Sequence, residues 1–484
     1  MHGELSTLKH SANSANNRIR KKRVIRSLII VTSLYMIFTI AIPNNLSAAA
    51  GGQGTSEYWE GSVYEYDTTY SDFTSEILGF TAGNGTDIRI KSSFEGFKLT
   101  TICSGSFDDD TLTSAIVPAS VIMIESEAFT SCDSLTDVYF LGDMPVLADA
   151  FDPSVTLHYI EGNLGWSSYS GNKAVLQIHQ FTYQGSTLQY YIINGKATVC
   201  GHTNGTSITV PDSITVSGIS YDVVSIGASA FYQNKTITSF TSGSNIKDIG
   251  ERAFYGCSSL DVVTLNEGLT AINDEAFRQS SKLGTTDGKV IIPGSVFYIG
   301  FEAFRMCNGL VTMNIPDTVT FYGEGVLRVC RSLKTVTLGK GVIDLEQWSF
   351  DNCNDLENVT LPNTLRTIGN DAFTNCPSLE VMNIPESVKS IGANAFNNCT
   401  SLITVNFSGD LPDIGTGAFF GTAGGFTITY TAEHAESWKD YNEYPTKEYV
   451  QDDDDGNIMI FGIAAIIIVA VVILSAFLLR RRTA

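Results

Sequence analysis

The chain has 484 residues, 43% of them hydrophobic, and 51 acidic residues against 30 basic ones give a formal charge of −21. That length and apolar share allow a large buried core. Outside residues 1–50 and 480–482 there are fifty acids and twenty basic residues, a balance of about −30, which excludes nucleic acid and anionic lipid as binding partners of that portion.

Residues 1–50 read as a targeting segment. Arg18, Arg20, Lys21, Lys22, Arg23 and Arg26 precede an apolar run from Leu28 to Ile42, followed by Pro43 and Ser47-Ala48-Ala49-Ala50. This is the layout of a signal peptide with a small-residue cleavage site. An uncleaved anchor is the alternative, which the shortness of the run disfavours. Residues 51–100 lack a clear period and read as an irregular N-terminal head, in which Tyr58, Trp59, Tyr64, Tyr66 and Tyr70 form an aromatic cluster.

From residue 101 the chain becomes periodic. Phe107, Phe129 and Phe151 recur every 22 residues in a first short block, 101–180. Residues 181–225, with apolar alternation around Asn194-Gly195, read as a junction and entry cap. In the main block, 226–446, the landmark returns at Phe231, Phe254, Phe277, Phe304, Leu327, Phe350, Phe373, Phe396 and Phe419, every 23 residues except for one step of 27. The longer step fits a loop insertion at Thr285-Thr286-Asp287-Gly288. A period of this size implies a solenoid in which each turn buries its apolar face against its neighbours.

Within the unit, an Ile or Leu sits five residues before the landmark in most copies, as at Ile226, Ile249 and Ile368, and another six residues after it, as at Leu260, Leu333 and Leu379. The alternation that follows, as in Leu333-x-x-Val336-x-Leu338, predicts a short strand with one buried face. Gly occupies the position four before the landmark in seven of nine copies (Gly227, Gly250, Gly300, Gly323, Gly369, Gly392, Gly415), which predicts a tight turn with positive φ. The two blocks end alike. Gly142-Asp143-Met144-Pro145 matches Gly409-Asp410-Leu411-Pro412, and Tyr159, Trp166 and Tyr169 match Tyr430, Trp438 and Tyr441. Each set is expected to close its block by covering the last exposed edge.

The recurring pattern I-G-x-x-A-F-x-x-C-x-x-L-x-x-V-x-I-P closely resembles the BspA-like class of leucine-rich repeats of microbial surface proteins. The resemblance covers roughly residues 100–446, with local departures at Leu327, Asn234, Ser280 and Glu346. It implies an α/β-type repeat solenoid with short parallel strands, and the closing device used twice makes it two stacked repeat blocks. It also implies a role in adhesion.

After the main block, residues 447–457 form an acidic stalk containing Asp452 to Asp455. The 22 uncharged residues Ile458 to Leu479, followed by Arg480-Arg481-Arg482, predict a transmembrane helix with a cytoplasmic tail, 480–484. The expected localisation is therefore the cell membrane, single-pass, with an extracellular ectodomain. Six N-x-S/T sequons occur, at Asn84, Asn204, Asn234, Asn358, Asn398 and Asn406.

No catalytic signature emerges. His158, His179, His202 and His434 lie in no metal-ligand spacing, and no nucleophile elbow, zinc-protease, P-loop or dinucleotide motif occurs. Asp108-Asp109-Asp110 reads as a solvated loop before it reads as a Ca²⁺ site. Seven of the nine cysteines follow the landmark by three residues (Cys132, Cys257, Cys307, Cys330, Cys353, Cys376, Cys399) and are expected to be free buried thiols. The expectation is a non-enzyme with no cofactor. One row stands out: Thr264, Asn314, Thr337, Thr360, Asn383 and Asn406 lie between the inward strand positions and so face outward, one per turn. These are the candidate ligand-binding residues, for an extracellular protein or glycan. The alternative role is a structural or shielding envelope protein acting through self-association.

Overall fold

The 23-residue spacing becomes a column of stacked rings. In the computed structural model, Phe231, Phe254, Phe277 and Phe304 stack with centroid separations of 4.9, 5.1 and 5.3 Å, and Phe350 through Phe419 continue at 5.1, 4.9 and 5.4 Å. Each such ring pair adds roughly 0.5–1.5 kcal/mol beyond its buried area. Leu327 interrupts the column, and the same turn supplies a buried ring at Tyr322, where other copies carry Ile or Leu. The structure describes residues 55–449 except 60–61, 70–73, 82–85, 95–96 and 162. All of them fall in one unit that begins at residue 54. The expected signal peptide, the stalk from residue 450, the membrane helix and the tail lie outside the described residues.

Each turn contributes one strand to each of two parallel ladders. In the second block the short ladder begins at Ile219–Ile226 and continues through Asp248–Ile249, Ala271–Ile272, Tyr298–Ile299 and Phe321–Tyr322. Asp344–Leu345, Thr367–Ile368, Ser390–Ile391 and Asp413–Ile414 extend the series. The long ladder has three runs. Ser207–Thr209, Ser239–Thr241 and Val262–Thr264 form the first, and Thr312–Asn314, Thr335–Thr337 and Asn358–Thr360 the second. Val381–Ile384, Thr404–Phe407, Thr427–Thr431 and Thr446–Tyr449 form the third, so residues 447–449, assigned above to the stalk, belong to its last strand. The 27-residue repeat is where the ladder thins to one bridge, Lys289 to Thr312.

The first block is built the same way. Phe97–Ile102, Met123–Ile124 and Val146–Leu147 form one ladder, and Asp87–Arg89 through Lys173–Leu176 the other. The stretch read as an irregular head is ordered. Thr55–Trp59, Ser62–Thr69 and Thr74–Thr81 form an antiparallel meander whose last strand pairs in parallel with Phe97–Ile102. Its Phe80 ring lies 4.8 Å from Phe107, tilted by 35°, and starts the ring column one turn earlier than the 22-residue spacing indicates. The junction holds antiparallel hairpins, His179–Tyr183 with Ser186–Ile193 and the latter with Lys196–Asn204.

Two expectations are corrected. The α/β label does not describe the arms, which are turns. Among the described residues helix is confined to Ala435–Trp438 and the short 3₁₀ segments Trp166–Ser168 and Ala432–His434. The repeating glycine is not a positive-φ residue either. At Gly250, Gly300, Gly323, Gly369, Gly392 and Gly415 an added Cβ would lie 2.4–2.7 Å from backbone of the preceding turn, so Gly is there to let turns approach. Positive φ falls instead two residues before and two after the landmark, as at Glu302 (49°), Asp371 (54°), Val329 (61°) and Asn375 (58°). This conformation aims the amide along the solenoid axis. Asp371, Phe373 and Asn375 donate to the carbonyls of Ala393, Ala395 and Asn397 at 2.9, 2.7 and 2.8 Å.

The cysteines are free and make one repeated contact. The thiols of Cys257, Cys307, Cys330, Cys353, Cys376 and Cys399 donate to the landmark carbonyl of the preceding turn at 3.0–3.2 Å, and Ser280 does the same at 2.7 Å. Burial pushes the Cys257 and Cys330 thiols up to about 12, leaving them unreactive. The closing segments share a geometry. Trp166 and Trp438 are buried, each 4.8 Å from the last inward Phe (Phe140, Phe407), stacked on Tyr159 and Tyr430, and each donates to a glycine carbonyl at 3.3 Å.

Candidate ligand-binding face

Because side chains alternate along a strand, the residues flanking each inward Val or Met of the long ladder project to solvent. Register places the six candidates in one column. Asn314 pairs with Thr337 and Thr337 with Thr360, Asn383 pairs with Asn406, and Thr264 ends the column's first run. Thr264, Asn314, Thr337, Thr360 and Asn383 are exposed and Asn406 is half-buried. Five members were not recognised in the sequence: Thr209, Thr241, Ile291, Thr429 and Lys447. Thr209 and Thr241 precede Thr264 in register, Thr429 and Lys447 follow Asn406, and Ile291, 68% exposed, falls into the column once the four-residue insertion is counted. The row of uncharged polar groups is therefore interrupted once, at Ile291, and ends at the charged Lys447.

Part of the column is internally bonded. Asn406 donates its amide to Asn383 at 2.8 Å and Thr429 donates to Asn406 at 2.6 Å. The Asn406 sequon is thus spent on the ladder, whereas Asn358 is exposed in the neighbouring column beside Thr335 and Thr312. The charged flank includes one exposed pair, Lys334 with Glu357 at 3.0 Å.

The equivalent column of the first block is different. Arg89, Ile116, Tyr139 and His158 are in register, and the first three face protein. Ile116 and Tyr139 pack against Tyr191 and Ile193 of the junction hairpin, and Arg89 reaches Asp248 at 2.9 Å. Where this fold docks protein on a ladder it uses Arg, Ile and Tyr. On the open face it presents Thr and Asn.

Other polar clusters have structural partners. Along the arms, Arg278 meets Glu302 at 2.6 Å, Arg305 meets Glu302 at 2.8 Å, and Arg328 meets Asp351 at 2.9 Å, with Arg252 paired to Glu275. His158 contacts Asp137 at 2.7 Å and His434 contacts Asp410 at 2.8 Å. Asp109 accepts the Thr111 amide and hydroxyl. Among the described residues no group of three His, Cys, Asp or Glu side chains is placed to hold a metal ion, and no helix is long and apolar enough to cross a membrane.

The family model for the BspA type leucine rich repeat region matches residues 100–218, 224–354, 285–379 and 326–440, with six copies. No curated protein matches the chain. Among solved structures, the chain is similar to a leucine-rich repeat protein from Bacteroides ovatus, at 24% identity and a TM-score of 0.40, covering 54% of this chain and 71% of that one. It is also similar to a leucine rich cell surface protein from Faecalibacterium prausnitzii, at 19% identity and TM-score 0.29, covering 81% and 98%. A third match is the pneumococcal vaccine antigen PcpA, at 15% identity and TM-score 0.29, covering 82% and 99%.

Proposed function

Because the chain belongs to the BspA-type leucine-rich repeat family, we propose that it is a non-catalytic, membrane-anchored surface protein that recognises a polar extracellular ligand, glycan or protein, through the long-ladder face of its second block. The observation that carries this reading is the registered, solvent-facing column from Thr241 to Thr429, with Asn314, Thr337 and Thr360 at its centre. Thr is under-represented at protein–protein hot spots, where Tyr and Arg dominate. The column therefore suits a ligand rich in hydroxyl and amide groups better than an apolar protein surface. The anchor rests on the sequence of residues 458–479 and the export on residues 1–50.

The test is to screen the purified full chain on arrays of glycans and cell-surface proteins, beside the same chain carrying Thr337→Lys, Thr360→Lys and Asn383→Lys. Saturable binding that the variant loses while still folded supports recognition by this face. Equal binding by both moves the site elsewhere, and self-association without any array ligand replaces recognition with an envelope-structural role.

A further inference from the structure

The two blocks meet along an interface whose ends differ in chemistry. Beside the junction, Leu176, Tyr191 and Ile193 form a small apolar core with Ile116, Tyr139, Ile160 and Ile178 packed around it. Farther along the short ladder, polar contacts join the packing of Ala271 and Tyr298 into the first block's core. Arg89 lies 2.9 Å from Asp248 and 3.1 Å from the Ser225 hydroxyl. Ser93 donates to Asp274, which also accepts the Tyr298 hydroxyl at 3.2 Å and the Phe301 amide at 3.0 Å. Ser92 hydrogen-bonds Glu251. The Lys91 ammonium sits 5.2–5.8 Å from the ring centroids of Phe94, Tyr298 and Phe321.

A cavity of about 50 Å³ lies among these groups, lined by Arg89, Ser92, Asp248, Glu251, Asn273 and Asp274. The Asn273 Oδ1 is buried with no protein partner among the described residues. Ile90, Ile116, Pro118 and Leu141 also line the cavity, so polar and apolar groups meet there.

We propose that this interface is a hinge with an electrostatic latch. The apolar cluster at the junction is the pivot, and the contacts of Arg89, Lys91 and Ser93 hold the first block closed over the short ladder of the second. Apart from Ala271 and Tyr298, which join the first block's cluster, each block has its own core, so opening the latch does not require either to unfold. The Arg89–Asp248 ion pair, with the Arg89 side chain a quarter exposed, is weakened modestly by salt, whereas an apolar pivot is not. Opening bares Ala271 and Tyr298, which the closed state packs into the first block's core cluster. It also frees the rim around Phe321, stacked on Tyr298 at 4.5 Å. The latch thus governs access to an aromatic patch on the face opposite in character to the Thr/Asn column.

The test is hydrogen–deuterium exchange on the full chain, comparing wild type with Arg89→Gln and Ser93→Ala, at low and high salt. Both variants should exchange faster in peptides spanning 89–94 and 298–301, by about tenfold for Arg89→Gln and less for Ser93→Ala. High salt should move wild type the same way, while the turns from Phe350 to Phe396 keep their protection. Unchanged exchange at 89–94 and 298–301 in both variants would overturn the latch. Acceleration spreading through Phe350–Phe396 would overturn it as well, because the interface would then be supporting the fold.

Discussion

Replacing Gly392 by Ala puts the packing of the solenoid to a numerical test. The new Cβ would lie 2.5 Å from the Asn370 amide nitrogen and 2.6 Å from the Gly369 carbonyl carbon, against 3.4 Å or more for an ordinary contact. The preceding turn must therefore move by roughly 0.9 Å, and rigid backbone on both sides resists that shift. The ladder bond from Gly392 to the Ile368 carbonyl, 2.7 Å long, stretches with it. Overpacking costs about 1–3 kcal/mol and a weakened backbone bond about 1 kcal/mol, so Gly392→Ala should cost about 2–4 kcal/mol. Gly294 supplies the control, since nothing lies within 4 Å of its added Cβ and its φ is not positive. Gly294→Ala should be neutral or stabilising by a few tenths of a kcal/mol. Urea unfolding of both variants, followed by circular dichroism, measures the difference. Equal midpoints would refute the close-approach explanation of the repeating glycine.

Three further outcomes are expected. Val329 is a β-branched residue at φ 61°, where the next three turns carry Asn352, Asn375 and Asn398. Val329→Asn should therefore raise stability by about 1 kcal/mol in the same unfolding assay. Cys353→Ser should be tolerated because Ser280 already donates the equivalent bond, whereas Cys353→Ala should cost up to about 1 kcal/mol by removing the thiol donor to the Leu327 carbonyl, which keeps the Cys330 amide at 3.3 Å; differential scanning calorimetry distinguishes them. Burial raises the Glu251 carboxyl above its ordinary value of 4.5, against the opposing pull of Arg252 and its Ser92 hydrogen bond. The fold therefore binds the Glu251 proton more tightly than the unfolded chain does. Stability from this group is greatest below about 4.5 and falls as pH rises through the raised value. The advantage of Glu251→Gln over wild type should grow with pH across that window and then level off. A pH-independent difference in unfolding midpoint would contradict the assignment.

Much of the fold is legible in the sequence because a solenoid repeats its physics. The landmark spacing foretells the ring column, and the paired Trp and Tyr residues of the two closing segments foretell two caps of one geometry. What the sequence conceals has specific causes. A missing Cβ serves φ or space equally well, so Gly250 and Gly392 look like turn residues until the neighbouring backbone is in place. The left-handed positions carry Ser229, Arg252, Glu275, Trp348 and Gln279, none of which signals positive φ. Phe80 was hidden because the meander before it has no repeat period. The outward row was visible from alternation, but Ile291 was displaced from it by the insertion. The docking of Arg89 on Asp248, 159 residues away, leaves no periodic trace.

The central claim is that the open Thr/Asn face recognises the ligand. It is tested most directly by titrating a ligand identified on the arrays against the full chain and against Thr337→Lys alone, with Glu386→Lys, an exposed change off the column, as the charge control. The account predicts at least about tenfold weaker binding for Thr337→Lys, equivalent to about 1.4 kcal/mol, and unchanged binding for Glu386→Lys. Equal affinity of Thr337→Lys and wild type, with the fold intact, would contradict it.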